Sequence, residues 1–105
     1  MLAIIARYQF SSAADADRFC RHALDLVEPS RAEPGCHLYA FARDIGDGRV
    51  VWICEEWASQ QALDAHLRSP HVKAFLADVA DIEIVAADTR QYEVSSVGPV
   101  VMPED

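Results

Sequence analysis

Basic residues are scarce in this chain: nine lysines and arginines stand against seventeen aspartates and glutamates, a formal net charge of −8. So few cations could not replace the counterions of a phosphate backbone, which argues against nucleic acid as a partner. The acidic excess is dispersed rather than blocked, as suits solubility. No apolar run approaches the roughly 20 residues that cross a bilayer, so no membrane partner is expected. The first residues lack a basic region and a cleavage motif, and a cytoplasmic location is expected. Cys20, Cys36 and Cys54 are odd in number and lack CxxC spacing. They read as reduced, small hydrophobes of a cytosolic protein. There is no glycine-rich phosphate loop, no Gly-x-Ser-x-Gly elbow and no dinucleotide fingerprint, so a tightly held nucleotide or flavin has no visible site.

What is present suits one globular domain. The 105 residues are 51% hydrophobic and 25% charged, enough for one core and too few for two domains. Residues 2–10 read as a strand with Leu2, Ile4, Ala6, Tyr8 and Phe10 on one face. Ser12 with Asp15 starts a helix whose apolar stripe is Ala16, Phe19, Cys20, Ala23, Leu24 and Val27. Pro29 weakens its end and Pro34-Gly35 closes it. His37 to Arg43 is a second strand, residues 44–48 a hairpin loop, and Val50 to Trp57 a third strand. Residues 59–80 form a broken helix. Ser59 caps its first part, and Ser69-Pro70 supplies the N-cap and N1 proline of its second. Leu63, Leu67, Val72, Phe75, Leu76 and Val79 are its buried stripe. Ile82 to Val97 is the last strand.

The order β-α-β-β-α-β predicts an α+β, ferredoxin-like fold: a four-stranded antiparallel sheet with helices on one face. The domain is assigned to residues 1–97 and an irregular tail to 98–105. Val50-Val51-Trp52-Ile53-Cys54 is apolar on both faces, although two helices can cover only one. A homodimer packed through its sheet faces is therefore expected.

Residues 55–75 concentrate the chemistry. Glu55 shares a strand face with Trp57, and Glu56 points the other way. One of the two points toward the helices and the other toward the presumed dimer face. The interior one needs a partner or a raised pKa, and is either ion-paired, with Arg7, Arg43 or an arginine of a second chain, or a base. Trp57 either plugs the core or walls a pocket for a planar substrate. His66 sits at the edge of a buried stripe. His71 falls in a helix's first turn, where imidazolium is disfavoured and a neutral, proton-accepting ring is retained. Tyr8 and Tyr39 are strand tyrosines that could offer pocket hydroxyls or simply pack. No metal is expected. The two histidines are five apart across a proline, whereas same-face ligands on a helix want three or four, and no nearby Cys or Asp completes a set.

Residues 33–75 resemble the antibiotic biosynthesis monooxygenase domain family, of dimeric α/β barrel fold. The matching pieces are Glu33-Pro34-Gly35-Cys36 leading to Tyr39 and Arg43-Asp44, then Glu55-Glu56-Trp57. They continue with Ala62-Leu63, His66-Leu67, Ser69-Pro70-His71 and Phe75. The resemblance implies a monooxygenase that turns an aromatic or polyketide-like substrate into a quinone with O2, using neither metal nor flavin. A base removes a proton and the substrate anion then reduces oxygen. On this reading His66 and His71 are the candidate catalytic bases. Trp57 and Phe75 are walls, and Tyr39 and Glu55 polar anchors for a small aromatic or hydrophobic substrate. The family's haem-degrading branch has an Asn on the first strand, a Trp on the second helix and a later His. Here His66 and Leu76 occupy the last two positions and the chain has no Asn, so haem is disfavoured. A non-catalytic dimeric small-molecule-binding module, and an isomerase or lyase on a small polar metabolite, are the alternatives.

Overall fold

The computed structural model describes residues 1–104 of the chain. Seven elements follow one another: β1 (Leu2–Phe10), α1 (Ala13–Arg31), β2 (Cys36–Arg43), β3 (Val50–Trp57), α2 (Gln60–Leu67), α3 (Pro70–Asp78) and β4 (Ile84–Glu93). The four strands form one antiparallel sheet in the order β2-β3-β1-β4. Helices cover one face, which is the predicted ferredoxin-like arrangement with its second helix in two pieces.

Local chemistry sets the element ends. The Ser12 hydroxyl accepts the Asp15 amide at 3.1 Å and caps α1. Ser59 caps α2 in the same way, and Ser69 caps α3 through the Val72 amide with Pro70 in the first turn. α1 continues past Pro29 to Arg31. Its buried line is Ala16, Phe19, Ala23, Leu26 and Ser30. That differs from the expected stripe, because Leu24 lies 73% exposed while Leu26 takes the interior position. The progression 16, 19, 23, 26, 30 keeps one face toward the sheet, and Leu24 sits beside it. Leu67 and Leu76, also expected inside, are exposed, and Ile82 is buried ahead of a strand that begins only at Ile84.

The core lies between the covered sheet face and the helices. Leu2, Ala6 and Phe10 of β1 meet Val51, Ile53 and Trp57 of β3 and Phe19 and Leu26 of α1. Phe19 is its aromatic hub, with ring centroids 4.8 Å from Phe10 and 5.1 Å from Phe75. Pairing register sorts the side chains. Glu55 stands opposite Ile4 and Tyr39, and Ile4 opposite Gln91, all on the helix side. Glu56, Cys54 and Trp52 stand with Ala3, Ile5 and Arg7 on the uncovered side. Ile5, Leu38 and Tyr92 leave apolar surface exposed there.

Gly35 joins the sheet to the helices. Its φ of +83° suits a residue without Cβ, and an added Cβ would come within 2.8 Å of the Ala62 Cβ. The Gly35 carbonyl accepts the Ala58 amide at 2.8 Å. The loop after α1 is thereby seated on the start of α2, which carries Glu33 against the histidines.

Candidate active site

Trp57 closes β3 with no solvent exposure. Its indole Nε1–H donates to Glu55 Oε1 at 2.9 Å. The Glu55 partner is thus an indole rather than an arginine. Arg7 stacks over Trp52 on the opposite face, 5.9 Å from the ring centroid, and Arg43 pairs with Asp17. Burial pushes the Glu55 carboxyl up, the Trp57 hydrogen bond and nearby His66 oppose this, and the charge of Glu33 adds to it.

Behind Glu55 lies a packed aromatic layer. The His66 ring sits 4.6 Å from the Trp57 ring at an interplanar angle of 34°, and Tyr39 meets His66 edge-on at 5.0 Å. His66 Nε2 is 4.0 Å from Glu55 Oε1, and its Nδ1 lies 2.6 Å from Glu33 Oε2. His71 Nε2 reaches the same Glu33 oxygen at 3.0 Å. Only 3% of the His66 side chain is exposed, against 15% for Glu33 and 20% for His71.

A cavity of about 360 Å³ opens on the other side of Glu55, between the sheet and α2. Ile4, Ala6, Tyr8 and Ile53 form its floor, Leu63 and Leu67 its helical wall, and Thr89, Arg90 and Gln91 its rim on β4. The volume suits a small ring system, and an apolar box with a few polar groups is the usual form of a small-molecule site. The Tyr8 hydroxyl is held in its neutral form by burial and by the Glu55 charge.

Of the residues singled out from sequence for chemistry, Glu55 and Tyr8 line this cavity. His66 approaches it through Glu55, and Trp57 supports Glu55 from within the core. Tyr39 packs between Trp57 and Phe41, its hydroxyl pushed up first by burial and then by Glu55. Phe75 packs on Phe19 and Phe41 in the core. His71 reaches Glu33 rather than the cavity. Tyr8 shares the cavity floor with Ile4 and Ala6, its neighbours on the strand face that the two-residue alternation of β1 defines.

Glu33 is the residue that sequence spacing missed. It completes a group with His66 and His71 whose donor atoms all lie within 4.8 Å of one another and could hold a cation. The third donor is neither a Cys nor an Asp but a Glu that lies 33 positions before His66, beyond any local spacing rule.

Similarity to known proteins follows the same outline. The profile of the family described as antibiotic biosynthesis monooxygenase matches residues 1–78. A Mycobacterium tuberculosis protein provisionally named a monooxygenase is 37% identical over 100 residues, covering 94% of this chain and 91% of its own. An uncharacterized Synechocystis protein is 31% identical over 70 residues, which are 67% of this chain and 48% of the relative, so the match spans about half that relative's length. A crystal structure from Deinococcus radiodurans, titled with the same family description, superposes with a TM-score of 0.83. It covers 96% of this chain and 99% of its own at 21% identity, a likeness of fold. Among the described residues no helix is long and apolar enough to cross a membrane.

Proposed function

The chain belongs to the antibiotic biosynthesis monooxygenase family, and from that premise we propose that it oxygenates a small aromatic, anthrone- or phenol-like substrate with O2 in the cavity beside Glu55. The observation that carries this reading is an ionisable carboxylate, largely buried and raised by that burial, set in the wall of a mainly apolar cavity. Such a group is a stronger base than a free carboxylate toward a weakly acidic carbon or phenol.

In the proposed reaction Glu55 takes a proton from the substrate, and the anion passes its electrons to O2 to form a carbon–oxygen bond. The resulting peroxide loses water, leaving a carbonyl on the ring. One oxygen atom enters the product and the other leaves as water, so the substrate itself is the reductant and no metal or flavin takes part. The Trp57 indole and His66 hold the carboxylate in place, Tyr8 offers a hydrogen bond to a substrate oxygen, and the apolar floor keeps water from the anion. His66 and His71, the bases expected from sequence, enter this scheme as positioning groups. The unpaired Cys20, Cys36 and Cys54 accord with a cytoplasmic protein. The exposed apolar sheet face accords with a homodimer.

A second reading, an isomerase or lyase on a small polar metabolite, draws on Thr89 and Gln91 at the rim. Oxygen uptake separates the two. With a panel of anthrones and naphthols the wild type should consume O2, and Glu55→Gln should lower kcat by about 10²–10⁴-fold, the usual worth of a positioned base. Uptake unchanged in Glu55→Gln would remove the base assignment.

A further inference from the structure

Glu33, His66 and His71 come from three different parts of the fold: the loop after α1, the last turn of α2 and the first turn of α3. Neither Glu33 nor His71 lines the cavity beside Glu55. We propose that this trio binds one divalent first-row transition-metal ion, zinc being the best fit, and that the ion clamps the loop after α1 onto the two short helices.

The donor set selects the class of ion. Two imidazole nitrogens and a carboxylate suit zinc and its neighbours. Calcium and magnesium want oxygen ligands throughout, and copper(I) prefers sulfur. His66 Nδ1 and His71 Nε2 already converge on one oxygen, Glu33 Oε2, at 2.6 and 3.0 Å. An ion entering between them would take these two ring nitrogens as ligands, and each imidazole would then carry its proton on its other nitrogen.

For His66 that other nitrogen is Nε2, which faces Glu55 Oε1 at 4.0 Å. A carboxylate behind a ligating imidazole is the recurrent outer shell of protein metal sites. Glu55 is itself anchored by the Trp57 indole, so the arrangement extends through ligand, carboxylate and indole. The scaffold is also fixed in advance. Gly35 seats the loop that carries Glu33, and the Ser69 cap with Pro70 sets the start of α3 that carries His71. His66 is the buried anchor, while the partial exposure of Glu33 and His71 leaves an entry path and room for a solvent ligand.

The test uses the full chain after chelator treatment, titrated with Zn2+ and separately with Co2+. One ion should bind per chain, raise the melting temperature, and give Co2+ absorption bands without a thiolate charge-transfer feature. Because replacing buried His66 could unfold the chain, the informative variants are Glu33→Gln and His71→Ala. Each should weaken binding by more than the roughly 10–100-fold that loss of an outer-shell partner costs, and should abolish the thermal shift. Cys36→Ser, which removes the thiol three positions after Glu33, should leave binding unchanged. Absence of binding at micromolar metal, binding indifferent to Glu33→Gln and His71→Ala, or binding lost in Cys36→Ser would each overturn the site. None of these outcomes depends on oxygen uptake, so the metal site and the oxygenase reading stand or fall separately.

Discussion

Trp57 and Trp52 lie on the same strand and do opposite work. Both donate an indole N–H to a carboxylate at 2.9 Å, Trp57 to Glu55 and Trp52 to Asp44. Trp57 faces the core with no exposure, whereas Trp52 lies on the uncovered face and Asp44 in the hairpin loop. Replacing Trp57 by Phe keeps most of the apolar volume but strands a buried carboxylate. Such an orphan costs about 1–3 kcal/mol, so Trp57→Phe should lower stability by at least that much, and the cavity left by the smaller ring adds to it. Trp52→Phe, whose carboxylate can turn to water, should cost under about 1 kcal/mol. Denaturant midpoints of the two variants test the contrast, and equal losses would contradict it.

The elements whose signals are local were the legible ones. Ser59, Ser69 and Pro70 marked helix starts because a cap acts within three residues. β3 was bounded by its apolar run, and the β2–β3 loop by its glycines and aspartates. In that loop Asp44 Oδ1 accepts the Gly46 and Asp47 amides, and Asp47 Oδ1 accepts the Arg49 amide. Hydrogen bonds from the Arg49 side chain and backbone hold the Asp47 carboxyl down at about 2. A depressed folded-state value means that the turn gains stability above the ordinary pKa of 3.8 and loses it as pH falls from there toward 2. Carboxyl-carbon NMR should place the Asp47 midpoint near 2, and Asp47→Asn should loosen the Arg49 amide at neutral pH; a midpoint near 3.8 would contradict the hydrogen-bonded turn. What stayed illegible was register and distance. The choice of Leu26 over Leu24 depends on how α1 rolls against the sheet, and the meeting of Glu33 with His66 and His71 depends on a loop folded back by Gly35. The cavity was likewise hidden, since its rim comes from β4, the strand farthest in sequence from β1 that forms its floor.

At the scale of the whole molecule the sheet has one face dressed by helices and one bare. The bare face sets Leu38, Glu56, Ala3 and Tyr92 in one row and Ala40, Cys54, Ile5 and Arg90 in the next. Apolar groups of this size, left in water, favour a second copy. Sedimentation should therefore find a dimer at micromolar concentration, and Ile5→Lys should shift it toward monomer; a wild-type monomer under those conditions would contradict the assembly. The covered face carries the central claim, that Glu55 serves a cavity in which a substrate anion reduces O2. The most direct measurement is turnover of an anthrone probe under 18O2. The account predicts one labelled oxygen in the quinone product of the wild type, the other in water, and almost no labelled product from Glu55→Gln. An unlabelled product, or equal labelled product from Glu55→Gln, would contradict it.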